Sequence, residues 1–215
     1  MCSSIVTTVA VDPRSSSVLY AGGVGAYNAC DAEGRFGFKS TDGGDTWTAM
    51  PGLHDPLQYA IDPRRTTSLY AIDELNGIRV SRDAGASWSL ATAGFVGTPA
   101  ALAVDPADFE VLYVAADGGL FSSTDGARHW RLTSTAVAGA SALLVDPRPP
   151  AALYAGIAGR GIFRSTDRGR TWTNLNQDPV ATQFDGVLAL DPARAGSLFA
   201  GTAASGLYRV TIGSR

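Results

Sequence analysis

Short apolar runs, broken by clusters of Asp, Gly, Pro, Ser and Thr, fill this chain from end to end. Leu19-Tyr20-Ala21, Leu69-Tyr70-Ala71-Ile72, Leu112-Tyr113-Val114-Ala115 and Leu153-Tyr154-Ala155 show no polar alternation. Apolar runs this short, rich in strand formers and bounded by turn residues, predict strands covered on both faces. Each has a companion upstream, such as Val9-Ala10-Val11 or Leu143-Leu144-Val145, so the strands come in sets.

The sets keep an internal ruler. An apolar residue followed by Asp-Pro recurs at Asp12-Pro13, Asp62-Pro63, Asp105-Pro106, Asp146-Pro147 and Asp191-Pro192. Six residues after each proline stands a Leu followed by an aromatic: Leu19-Tyr20, Leu69-Tyr70, Leu112-Tyr113, Leu153-Tyr154 and Leu198-Phe199. A second motif lies between these. It pairs Asp42 with Trp47, Asp83 with Trp88, Asp125 with Trp130 and Asp167 with Trp172, each Asp five residues before its Trp. A Ser precedes each of these aspartates by two positions, and Gly44, Gly85 and Gly169 follow; Ala127 takes the glycine's place in the third copy.

Four strands per repeat follow from this spacing. The first ends at Asp-Pro, because proline has no N–H to continue a ladder. The second is the Leu-aromatic run, the third leads into the Ser, and the fourth starts at the Trp. Between the last two, Ser and Asp side chains can bond neighbouring N–H groups while Gly takes φ > 0, which closes a hairpin that we call the aspartate turn. Four-stranded repeats of ~40–45 residues read as propeller blades. The expectation is an all-β fold, a β-propeller of about five four-stranded antiparallel blades over residues 5–50, 57–91, 100–134, 141–175 and 186–212, forming one domain over 1–215. The last blade is incomplete, for the chain reaches only its third strand at Gly206–Thr211 and has no fifth aspartate turn. Two readings stay open: a five-bladed ring with a three-stranded last blade, or part of a larger propeller.

The Ser-x-Asp-x-Gly-x-Thr-Trp pattern, in four copies spread over essentially the whole chain, resembles the Asp-box (BNR) repeat family. That family includes bacterial sialidases, xyloglucan-type endoglucanases, sortilin-like receptors and photosystem assembly factors. The resemblance implies a propeller, and an exported or cell-surface bacterial protein. It implies little about the ligand, because members share the box and differ in what they do. Sialidase activity is not carried over: the chain has no Arg-Ile-Pro motif and no assignable arginine triad.

Composition narrows the classes further. Apolar residues make up 45% and charged residues 17%, with 25 glycines, a turn-rich globular balance. Net charge is -3 and the basic residues are not concentrated, which argues against nucleic acid as a partner. No apolar run approaches the ~20 residues needed for a membrane span, so membrane insertion is not expected. The first residues, Met1-Cys2-Ser3-Ser4, lack the charged and apolar regions of a signal peptide. Cys2 and Cys30 have no zinc spacing, and the turn aspartates lack the alternating ligand set of a calcium loop, so no metal is expected. No phosphate loop or nucleophile elbow stands out, and no cofactor is expected.

Loop length separates two sides of the blades. The connection from Asp-Pro to the next Leu never changes, whereas the aromatic-to-turn separations are 22, 13, 12 and 13 residues and the Trp-to-Asp-Pro separations 15, 17, 16 and 19. Constant turns read as scaffold, and variable loops as the place for binding. Nine of the 20 acidic residues belong to Asp-Pro or aspartate turns, whereas Asp31, Glu33, Asp55, Asp73, Glu74, Asp117, Asp178 and Asp185 fall in variable loops. An acidic loop face is the expectation. Its candidate ligand contacts are Tyr27, Asn28, Asp31 and Glu33 in the long first insertion, then His54, Arg79, Arg160 and Asp185. Arg79 breaks a third-strand column otherwise held by Phe38, Phe121, Phe163 and Tyr208. The reading is a non-catalytic module that binds glycan or protein on this face. The alternative is a glycoside hydrolase, with paired loop carboxylates drawn from Asp73, Glu74 and Asp117.

Overall fold

The computed structural model describes residues 4–25, 37–74, 77–146, 148, 152–175, 187–191, 193–194, 196–202 and 206–212. Tyr27, Asn28, Asp31, Glu33 and Asp185 lie outside the described residues. Blade one holds β1 (Ser4–Asp12), β2 (Ser15–Gly25), β3 (Gly37–Ser40) and β4 (Thr48–Ala49). Blade two holds β5 (Pro56–Ile61), β6 (Leu69–Asp73), β7 (Gly77–Ser81) and β8 (Ser89–Leu90). Blade three holds β9 (Pro99–Val104), β10 (Leu112–Ala116), β11 (Gly119–Ser123) and β12 (Arg131–Ser134). Blade four holds β13 (Ala142–Asp146), β14 (Ala152–Ile157), β15 (Gly161–Ser165) and β16 (Thr173–Asn174). Blade five is three-stranded, with β17 (Val187–Leu190), β18 (Ser197–Thr202) and β19 (Gly206–Thr211).

Every sheet is antiparallel with its strands in chain order, and the fold is an all-β propeller of five blades. Two compact units divide the chain. The first is Met1–Ala93 with the third aspartate turn, Asp125–His129; the second is Gly94–Thr124 with Trp130–Arg215.

The Asp of each Asp-Pro is buried and sets the first hairpin of its blade. Its Oδ1 accepts the N–H two residues on: Arg14 at 2.8 Å, Arg64 at 2.9 Å, Ala107 at 2.9 Å, Arg148 at 3.0 Å and Ala193 at 2.9 Å. The side chain thus replaces a ladder bond where the chain reverses. That fixes the register in which Leu69 pairs with Ile61 and Ser81, and Leu153 with Val145 and Ser165.

Register then decides which residues share a face, because side chains alternate along a strand. On each second strand the Leu points to one side and the aromatic to the other. In the first unit the aromatic side of blade one meets the Leu side of blade two, burying Tyr20, Met50, Leu53, Tyr59, Leu69 and Ala71 together. Tyr59 stands between Tyr20 and Trp88, with ring centroids 6.2 Å from each. The second unit repeats the pattern. Tyr113, Ala115 and Leu120 of blade three pack with Leu143, Leu153 and Ala155 of blade four. Tyr154 and Ile162 of blade four pack with Leu198 and Ala200 of blade five.

The aspartate turns require φ > 0 at two successive positions. In the fourth turn these are Arg168 and Gly169, with φ of 62° and 85°. A Cβ on Gly169 would lie 2.3 Å from Leu120 Cδ2, so the glycine serves both the turn and the blade contact. Ala127 stands at the matching place of the third turn with φ of 69°, and keeps its methyl group buried. Gly169→Ala is therefore expected to destabilise by about 2 kcal/mol, while Ala127→Gly stays within about 1 kcal/mol because strain relief offsets the lost methyl. Leu153→Ala is expected to cost about 2–5 kcal/mol. Urea unfolding of the three variants, compared by midpoint at constant slope, checks all of these.

Candidate functional site in the length-variable loops

The aspartate turns are closed hydrogen-bonding units. In the first, Ser40 Oγ donates to Asp42 Oδ1 at 2.7 Å and accepts from the Gly44 N–H at 2.9 Å. Asp42 accepts the Thr46 N–H at 2.9 Å and, through Oδ2, the Thr46 hydroxyl. Trp47 Nε1 donates to the Gly44 carbonyl at 2.9 Å, and Trp172 Nε1 does the same to Gly169. Asp83 with Ser81 and Ser87, and Asp167 with Ser165 and Thr171, repeat the network. In the third turn the His129 ring reaches Asp125 Oδ2 with Nδ1 at 2.7 Å, in the role the Thr and Ser hydroxyls play elsewhere. These carboxylates are committed to the turn.

The described variable loops use their acids in a related way. In the first unit, Asp73 closes β6, is buried, and accepts the His54 N–H through Oδ2 at 2.8 Å. His54 is thereby held through its main chain. Beside it, Asp55 is buried with φ of 47°, and its carbonyl accepts the Glu74 N–H at 3.4 Å. Burial and the charge of Asp73 push the Tyr59 phenol well above its usual range, so it stays a neutral donor, here to the Ala21 carbonyl at 3.3 Å. Arg79, opposite Ala71 and Leu90 in the sheet, is half-buried, and its buried Nε has no hydrogen-bond partner among the described residues.

In the second unit, Asp117 is exposed and its Oδ1 accepts the N–H of Thr98 at 3.1 Å and of Gly118 at 2.8 Å. A Cβ on Gly97, whose φ is 98°, would stand 2.1 Å from that Oδ1, so only glycine lets the loop close on the carboxylate. The same loop carries Phe95 onto Phe121, centroids 4.7 Å apart, and edge-on to Trp130 at 6.3 Å. It leaves Val96 at 69% exposure beside them. Arg160 lies over the Phe163 ring at 5.2 Å and donates to the Ala136 carbonyl at 3.3 Å.

Sequence reasoning singled out the acids and missed Phe95 and Val96. The available signal was an apolar pair set between two glycines, Gly94 and Gly97, inside a variable loop. Of the catalytic candidates, Asp73 and Glu74 belong to the first unit and Asp117 to the second. Among the described residues, no group of three or more His, Cys, Asp or Glu is placed to hold a metal ion.

No family model matches the chain, and no curated protein matches its sequence. Solved structures do match its fold. A GH74 enzyme of Niastella koreensis aligns with a TM-score of 0.74 and 20% identity, over 92% of this chain and 33% of that one. A chain of a nidogen/laminin complex aligns with a TM-score of 0.74 and 15% identity, over 97% and 76%. YCF48 of Cyanidioschyzon merolae aligns with a TM-score of 0.68 and 13% identity, over 99% and 68%. This chain spans about a third of the length of the GH74 enzyme.

Titration of the turns gives a pH prediction. The Ser87 hydroxyl, its N–H and the Ser81 hydroxyl lower Asp83 to about 2, and matching bonds from Thr46 and Thr171 hold Asp42 and Asp167 lower still. A carboxylate whose folded pKa is depressed adds stability above its unfolded value, near 3.8 here, which is lost as pH falls through the folded pKa. The urea midpoint is expected to fall progressively between about pH 4 and pH 2. Asp83→Asn is expected to lower the midpoint at neutral pH and to flatten that slope; an unchanged slope would remove the turn from the explanation.

Proposed function

We propose that this chain is an Asp-box propeller acting as a non-catalytic binding module, with its ligand on the length-variable loops. The observation that carries the reading is the use made of the loop acids. Asp73 is buried and bound to the His54 N–H, and Asp117 accepts two main-chain N–H groups. A general acid or base must reach a substrate proton and exchange its own. Carboxylates bound to main-chain N–H groups hold loops in shape. Loops fixed in this way present a pre-ordered surface, which lowers the entropic cost of association.

A protein ligand is the better fit of the two ligand classes. Phe95 packs on Phe121 and Trp130, and its neighbour Val96 is exposed, which offers an apolar side chain on an anchored loop of the kind that suits a protein contact. Two of the matched folds come from assemblies of this kind, a nidogen/laminin complex and a YCF48 bound to D1 peptide. Asp117, which holds the loop that carries Phe95 and Val96, adds a charged group to that loop; Tyr27 and Asn28, outside the described residues, are candidates for a separate glycan contact. The Asp-box resemblance supports an exported or cell-surface setting.

Hydrolysis by paired carboxylates is the competing reading, favoured by the likeness to GH74 enzymes. One experiment separates the two. The chain is assayed for hydrolysis of xyloglucan and related β-glucans, and for binding on glycan and extracellular-protein arrays. The binding reading expects hydrolysis at the blank level in wild type and in Asp117→Asn alike. It also expects a retained array ligand whose affinity falls about tenfold in Val96→Asp or Tyr27→Ala. Turnover in wild type that Asp117→Asn or Asp73→Asn abolishes would instead establish the glycosidase.

A further inference from the structure

Four aspartates of this chain are followed by glycine: Asp42, Asp117, Asp125 and Asp185. An Asp-Gly pair can rearrange without an enzyme, because the glycine nitrogen can attack the preceding side-chain carboxyl and no Cβ on the glycine stands in the way. Asp185 and Gly186 lie outside the described residues, and the fold treats the other three pairs differently. In the first aspartate turn, Asp42 accepts the Thr46 N–H and hydroxyl and the Ser40 hydroxyl, while the Gly43 N–H donates to the Ser17 carbonyl at 2.9 Å. In the third, Asp125 accepts the His129 N–H at 2.9 Å and meets the His129 ring at 2.7 Å. Ring closure in either turn must first break these bonds.

Asp117 is placed otherwise. Asp117 and Gly118 make up the whole connection between β10 and β11, where Ala116 pairs with Gly119. Here the carboxylate lies on its own glycine, with Oδ1 2.8 Å from the Gly118 nitrogen. A Cβ built on Gly118 would meet nothing within 4 Å, so the turn has room to rotate into the ring. The attacking nitrogen and the carboxyl that receives it are thus held together in one short turn, where proximity replaces a chance encounter. Asp117 also clamps Thr98 from both sides. Its N–H donates to the Thr98 carbonyl at 3.4 Å, and its Oδ1 accepts the Thr98 N–H at 3.1 Å.

We propose that Asp117 is a site of spontaneous isomerisation to isoaspartate, selected by the fold from the described Asp-Gly pairs, and that the change releases the loop carrying Phe95. First the Gly118 nitrogen bonds to Cγ of the neutral Asp117 carboxyl. The nitrogen's proton and the carboxyl hydroxyl leave as water, and a five-membered cyclic imide remains. One water then opens the imide. Breaking the new N–Cγ bond restores aspartate. Breaking the bond from the nitrogen to the former main-chain carbonyl leaves the chain running through Cβ and Cγ, with the carboxylate now on Cα. One water is lost and one regained, so the mass is unchanged. The main chain gains one carbon and the carboxylate leaves its place, so the clamp on Thr98 is undone. The loop is then held only by the contacts of Phe95 with Phe121 and Trp130.

The test is incubation of the whole chain for weeks at mildly acidic pH, then tryptic mapping with electron-transfer fragmentation, which locates the extra main-chain carbon. In the native chain the isoaspartyl fraction at 117 is expected to exceed those at 42 and 125 several-fold. In urea, where the turns are gone, the three sites are expected to isomerise at comparable rates. Gly118→Ala, whose added methyl meets open space, is expected to fold as wild type and to lose most of the signal at 117. Deamidation of Asn76, which precedes Gly77, changes the mass and falls on a different tryptic peptide, so it is read separately. Chymotrypsin is expected to cut after Phe95 faster in aged wild type than in fresh protein, in proportion to the isoaspartyl fraction, and no faster in aged Gly118→Ala. Absence of isoaspartate at 117 in the native chain, or as much of it at 42 or 125, would overturn the proposal. An unchanged rate of cleavage while isoaspartate accumulates would overturn the release of the loop.

Discussion

A carboxylate accepting main-chain N–H groups is the interaction on which the rest of this structure depends. Five buried aspartates do this at the first hairpin of each blade, and aspartates do it again where third and fourth strands meet. A buried or half-buried N–H left without a partner is costly, so wherever a chain reverses on a covered sheet something must accept it. Aspartate does so with a short side chain that reaches two to four residues along. The turns thereby become insensitive to the residues around them, and the same geometry survives with Thr, Ser or His as the second donor.

Fixed turns fix register, and register creates the blade faces. Because side chains alternate, a slip of one residue would exchange the Leu and aromatic sides of a blade and undo its contacts on both neighbours. Holding the Asp-Pro to Leu spacing constant is the sequence expression of that requirement. The faces in turn explain the glycines: Gly85 and Gly169 lie where a Cβ would enter Met50 or Leu120 of the adjoining blade. Turn chemistry and core packing meet at these residues.

The variable loops follow the same logic on a looser plan. Asp73 and Asp117 are not in repeat motifs, yet each accepts an N–H from the loop entering its own blade. These acids shape the loops, and in one of them Phe95 packs on Phe121 and Trp130 while Val96 is left exposed.

The sequence by itself determined the five blades it contains, the strand order within each and the three strands of the fifth. It could do so because Asp-Pro, Leu-aromatic and Asp-to-Trp spacings are local, and local turn chemistry is written in adjacent residues. It also separated constant from variable connections, which located the loops worth testing. Only the tertiary structure showed the hydrogen bonds and packing of particular side chains there. Asp73 is a catalytic candidate by type and position, and its bond from the His54 N–H, 19 residues away in sequence, carries no side-chain signal and is visible only in the fold. Phe95 is one more apolar loop residue until the fold sets it on Phe121. The packing of Phe95 on Phe121 joins a loop to a strand that is distant in sequence, and a pattern of residues along one segment does not encode such a pairing.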